Sequence, residues 1–234
     1  MADLTHYRLL AGLLEYPEAG YPQTVTEIYK LVDGKYPVAA ATLERFIELL
    51  PADNLLTIQE LFTRSFDVQA IATLDIGYVL FGDDYKRGEL LANLNSEHRK
   101  ANNDCGTELA DYLPNILRLM SILQDEELVR DLAYAIVAPA LLEMIGEFDT
   151  DRIAKKNKSY EKHYKTLIEM PAVQTDEAVT LYKFALKSLY EVLKQDFNLI
   201  KEMPLQRTND FLGSLVQEND IEETANAQYD GGTT

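Results

Sequence analysis

This 234-residue chain has three histidines and one cysteine, the side chains whose spacing most directly marks a metal site or a reactive thiol. A helical Glu-x-x-His pair works as a ligand unit because its two side chains share one face. Asn95 stands three residues before His98 and Tyr160 three before His163; only His6 has an acid there, Asp3. One such pair leaves most of a coordination shell unfilled, so no metal site is expected and each histidine reads as structural. Cys105 lies in a polar stretch with no histidine beside it, and neither C-x-x-C nor G-x-S-x-G occurs. Gly77 and Gly82 have phosphate-loop spacing, but Asp83 and Asp84 follow where a Lys and a hydroxyl are required, and acids there repel a nucleotide. The many carboxylates reflect composition, 39 Asp and Glu against 22 Lys and Arg. An arbitrary pair of them reads as a solvated face rather than an acid/base couple. No catalysis and no cofactor of its own are expected.

The same imbalance bounds the partners. A net charge of −17 repels nucleic acid and anionic lipid and favours a cationic partner. A single cysteine excludes an internal disulfide framework and suits a reducing cytoplasm, which is the expected location. Asp3 occupies the place where a secretory signal is basic, and Arg8 and Glu15 interrupt the Leu-rich start. No run approaches the ~20 apolar residues of a membrane span.

Leu and Ala outnumber Val and Ile while Gly and Pro are scarce, so the elements positioning any site are helices, and the expected fold is an all-α single-domain bundle. Helical spacing runs from Leu4 to Tyr16, closed by Pro17. A second helix starts at Pro22 and stops at Gly34; a third opens at Pro37 and ends before Pro51, where Asp53 is expected to cap a fourth. The central stretch, Glu60–Leu94, predicts an apolar helix over Val68–Phe81, a corner at Gly82, and a polar helix from Tyr85 capped by Asp83 or Asp84. A turn-rich loop spans Ala101–Thr107, and Pro114 marks the start of the next helix. Asp125 and Glu126 open a long helix with a kink expected at Pro139. Residues from Arg152 to Lys165 form the one basic patch, read as a solvated loop and helix face. A last helix is expected over about Thr175–Phe197. Two units are expected: a helical domain over 1–207 and, over 208–234, an acidic tail without Lys or Arg that composition marks as flexible.

Several of these segments carry motifs of one family. Leu13-Leu14-Glu15-Tyr16-Pro17 opens the chain; Phe66-Asp67 precedes the apolar run; Gly82-Asp-Asp-Tyr-Lys-Arg87-Gly88 forms the corner; and Glu108-Leu-Ala-Asp-Tyr-Leu-Pro114 follows. In order and spacing they resemble the NarJ/TorD family of molybdoenzyme maturation chaperones, and the resemblance is nearest to the NarJ branch serving respiratory nitrate reductases. It covers about Leu13 to Leu123. Two departures are present: Ala110 replaces the family's usual Pro, and Tyr112 its usual His, so this position keeps hydrogen bonding and stacking but carries no positive charge.

The resemblance implies a cytoplasmic, non-catalytic chaperone. Its partner is the N-terminal segment of an apo molybdoenzyme catalytic subunit, held while molybdenum cofactor and iron–sulfur clusters are inserted. It also implies a client-binding set: Asp111, Tyr112, Leu113 and Pro114, joined by Phe66, Asp67, Tyr78, Arg87 and Gly88. Structural readings stand beside these: Phe66 and Tyr78 as core, Gly88 as a site of close helix approach, and Asp67 or Asp111 as helix caps. The alternative function is a generic helical adaptor for another client.

Overall fold

Prolines and glycines punctuate the first part of the molecule. In the computed structural model, residues 3–164 and 179–199 are described, with residues 157 and 159–164 described in backbone only. Helix α1 (His6–Leu10) tightens into a 3₁₀ turn, Ala11–Leu14. Helix α2 (Tyr21–Asp33) carries Pro22 in its first turn, where the missing N–H costs nothing, and ends at Gly34; α3 (Pro37–Leu49) repeats the pattern. Helix α4 (Leu55–Phe66) is capped by Asn54, which accepts from the Thr57 amide at 3.2 Å. Asp53, the expected cap, sits one residue too early: Asn54 is the extended residue directly before the helix.

The central stretch departs most from expectation. Helix α5 covers only Ile76–Phe81, and the chain from Asp67 to Asp75 is irregular, with Gln69 at a φ of +50°. Tertiary partners replace the helical hydrogen bonds. The carbonyl of Ile71 accepts from Lys156 Nζ at 2.6 Å, and that of Leu74 accepts from the Leu113 amide at 2.8 Å. Ile71, Ala72 and Leu74 are buried all the same, so the run is a core segment without being a helix. Gly82 then turns the corner at φ +59°, a value that disfavours any side chain. Helix α6 (Tyr85–Lys100) follows, capped by Asp84, whose carboxylate accepts from the Lys86 amide at 2.9 Å.

Helix α7 (Leu113–Met120) has Pro114 in its first turn. The predicted long helix is present in three parts: α8 (Glu126–Asp131), a π-helical segment (Leu132–Val137) and α9 (Ala138–Glu147). The irregularity therefore lies upstream of Pro139, whose ring would clash with the carbonyl of Ala135 in a regular helix; the wider π turn relieves that clash. Helix α10 (Thr150–Tyr164) bears the basic patch. Arg152 and Lys156 pair with Glu147 at 2.7 and 2.6 Å, which neutralises part of that face. The side chains of Lys162 and Lys165 lie outside the described residues, as does the 208–234 tail. Helix α11 (Tyr182–Asp196) is the described part of the last expected helix.

Helix α11 packs on α3 and α9, and α7 packs on α1 and the 3₁₀ turn. Their contact faces form one core, with Leu113, Ile116, Leu117, Leu186 and Leu189 fully buried. Aromatic edges key it together: Tyr182 lies 5.2 Å from Phe66 and 5.4 Å from Phe62, both edge-on. Among the described residues this is a single helical body without a strand. No helix in it is long and apolar enough to cross a membrane.

Candidate functional site

Two short extended segments bring the motifs together. The Ile76 amide donates to the carbonyl of Asp111 at 3.0 Å and the Leu113 amide to that of Leu74 at 2.8 Å, an isolated antiparallel bridge pairing Asp75 with Tyr112. Helix α5 starts just beyond one half of the bridge and α7 just beyond the other. Asp75, Gly77 and Tyr78 are thereby set beside Asp111 and Tyr112.

Arg87 enters this junction from α6. Its Nε donates to Asp111 Oδ2 and a terminal nitrogen donates to Asp75 Oδ2, both at 3.1 Å. The guanidinium carbon lies 5.3 Å from the centre of the Tyr78 ring, within cation–π range. One cation thus holds two carboxylates, and the cluster keeps a net negative charge. Burial and the Asp111 charge push the Asp75 carboxyl upward, with Arg87 opposing them. Burial works against the Arg87 charge, yet the bonds and charges of Asp111 and Asp75 outweigh it and raise its pKa. Gly77 makes room for the pair: a Cβ there would come 2.6 Å from Asp111 Oδ2 and 3.1 Å from Leu90 Cδ2.

The expected site residues divide by depth. Asp111 is completely buried, and its Oδ1 finds no hydrogen-bond partner among the described residues. It is no helix cap, since its carboxylate serves Arg87. Leu113 and Pro114 are buried in the first turn of α7, and Phe66 belongs to the aromatic core. Tyr112 is half-buried; its hydroxyl donates to the Leu14 carbonyl at 3.2 Å, and burial followed by the charges of Glu108 and Glu15 pushes its pKa up. Tyr78 is 44% exposed, which excludes its reading as core. Gly88 is exposed with open space where a Cβ would stand, so close approach belongs to Gly77 instead. Asp67 ends α4 on the surface, its amide donating to the Thr63 carbonyl at 2.9 Å. Neither Phe66 nor Asp67 shares a described hydrogen bond, ion pair or ring contact with Arg87.

A second polar network supports the Asp111 segment from behind. Asn103 Nδ2 approaches His98 Nδ1 at 2.9 Å and donates to the Asn115 carbonyl at 3.1 Å. With Nδ1 accepting, the proton sits on His98 Nε2, which donates to the Ala110 carbonyl at 3.0 Å. Burial lowers the pKa of this histidine, consistent with that neutral form. Asn115 donates to the Leu109 carbonyl at 2.9 Å, and Arg118 binds both Asn115 and Glu15. Sequence reasoning missed Asp75, Gly77, Asn103 and Asn115 as parts of this arrangement. The available signal was an acid and a glycine interrupting an apolar run.

Among the described residues no group of three or more His, Cys, Asp or Glu is placed to hold a metal. The chain matches no known family profile, and no curated protein is similar to it.

Proposed function

We propose that the protein is a non-catalytic maturation chaperone of the NarJ/TorD type. In this reading it binds the N-terminal segment of an apo molybdoenzyme catalytic subunit of the nitrate reductase kind while molybdenum cofactor and iron–sulfur clusters are inserted. The observation that carries the reading is the convergence of three separate motif segments. Leu13–Pro17 meets Glu108–Pro114 through the Tyr112 hydroxyl and the Leu14 carbonyl, and Gly82–Gly88 meets it through Arg87 and Asp111. Residues distant in sequence thus build one negatively charged cluster that reaches the surface at Tyr78 and Asp75. A basic amphipathic client segment is complementary to it: its cations face Asp75 and the Tyr78 ring, and its apolar side chains supply the affinity. Asp111 acts from beneath, holding Arg87 in place.

The test is calorimetric titration of the protein with a peptide copying the N-terminus of the catalytic subunit encoded beside its gene. Salt-sensitive binding is expected. Asp75→Asn and Tyr78→Ser should each weaken it by about tenfold, since each removes an electrostatic contact from the exposed edge. Neither should lower the melting temperature by enough to unfold the protein in the titration. An absence of binding heat for the unsubstituted protein would overturn the reading.

A further inference from the structure

At the end of α7 away from Arg87, the N-terminal segment, α7, α8 and the end of α11 line an open cavity of about 470 Å³. The cluster and the cavity share no residue, and the eight residues of α7 separate them, roughly 12 Å of helix at 1.5 Å per residue. Leu4, Met120, Leu123, Val129 and Phe197 supply its apolar side, and Thr5, Ser121, Gln124 and Asn198 line the rest with uncharged polar groups. Its charged lining is mainly acidic, Asp3, Glu126 and Asp196 beside Arg130, with Lys35 behind the wall at 3.7 Å from Asp196 Oδ1.

Asp196 is a fixed part of that wall. Its Oδ2 lies 2.7 Å from His6 Nε2, and its Oδ1 accepts from the Tyr36 hydroxyl at 2.7 Å. Burial opposes its charge, but these two hydrogen bonds, with the His6 and Lys35 charges, outweigh burial and lower its pKa. The acid thus stays ionised at the edge of a pocket with both apolar and polar walls. Such a hollow selects a group with an apolar body and a cationic end.

We infer that this cavity is a second peptide-docking site, taking an apolar side chain flanked by Lys or Arg from a basic partner segment. Charge complementarity carries the choice of occupant. The chain's own residues 208–234 contain no Lys or Arg, so the acidic wall repels them. Residues 200–207 do carry Lys201 and Arg207 beside Met203 and Leu205, and the test separates them. The inference leans on the chaperone reading only for the origin of the basic segment.

The experiment measures fluorescence anisotropy of a labelled peptide of Leu, Phe, Lys and Arg on the full chain. A control peptide has Gln in place of each Lys and Arg. The control should bind at least about tenfold more weakly, as should the basic peptide to a chain carrying Glu126→Lys and Asp3→Asn. Asn keeps the acceptor that Asp3 offers to Thr5. Arg130→Glu should instead tighten binding severalfold, which tests the inference even if the double variant folds poorly. Unchanged affinity in these folded variants would overturn it. Met203→Asp with Leu205→Asp in the full chain should leave binding unchanged; tightening of tenfold or more would assign the cavity to residues 200–207 and overturn it too. The adjacent-gene peptide is titrated alongside. If that peptide alone fails to bind, the chaperone reading falls and the cavity stands. If both peptides bind and the cavity variants move neither, the cavity falls and the chaperone reading stands.

Discussion

Gly77 is the residue on which the Arg87 cluster turns. A methyl at that position meets the Asp111 carboxylate and Leu90 before anything else can move, so Gly77→Ala should cost about 1–3 kcal/mol, the usual range for overpacking. Asp111→Ala should cost about 2 kcal/mol, less than a fully buried broken pair because Arg87 keeps Asp75. Together they should cost less than their sum, since deleting the carboxylate removes the clash. Urea denaturation of the four proteins checks this, and simple additivity would dissociate Gly77 from the pair. Asp75 gives a prediction of opposite sign. Its folded carboxyl titrates above the unfolded one, so ionising it costs stability as pH rises through the carboxylate range. Asp75→Asn should therefore stabilise the protein at neutral pH and lose that gain below about pH 4. Asp111 and Arg87 were legible as candidates from their motifs. Asp75 and Gly77 were not, because inside an apolar run they read as interruptions of a helix rather than as a bridge and a cradle.

At the scale of elements, the helix boundaries that were legible are those fixed by local chemistry. Pro22, Gly34, Pro37, Asp84 and Pro114 act within one turn of themselves, and the chain obeys each of them. The run from Val68 to Leu74 escaped because uniform apolarity has no period. What decides its shape is distant: Lys156 on α10 and Leu113 on α7 take the carbonyls that a helix would have used. The π segment escaped for a related reason, since Pro139 announces an irregularity without saying on which side it falls. The loop from α6 to α7 depends on a buried neutral histidine. His98 titrates lower folded than unfolded, so the unfolded chain gains its proton first as pH falls. Its contribution is complete above the unfolded value of about 6.5 and lost below it. Denaturation midpoints at pH 7.5 and 5.5 should therefore differ, and His98→Gln should flatten that difference. An undiminished slope in the variant would place the proton uptake elsewhere.

For the molecule as a whole, a net charge of −17 acts on folding and on association in opposite directions. Compaction brings like charges together, so added salt should raise the denaturation midpoint by screening self-repulsion. The same field draws in a cationic segment from beyond contact distance, and salt shortens that reach: the Debye length falls from about 30 Å at 0.01 M to about 10 Å at 0.1 M. Attraction of this kind appears chiefly in the association rate, because the oriented contacts that resist dissociation are short and partly desolvated. Stopped-flow mixing of the protein with the adjacent-gene peptide over that salt range should show the association rate falling steeply. The dissociation rate should change much less, while the folded protein grows more stable over the same interval. A rate of association indifferent to salt would mean that the partner is met through its apolar face alone, and the acidic surface would then serve solubility rather than recognition.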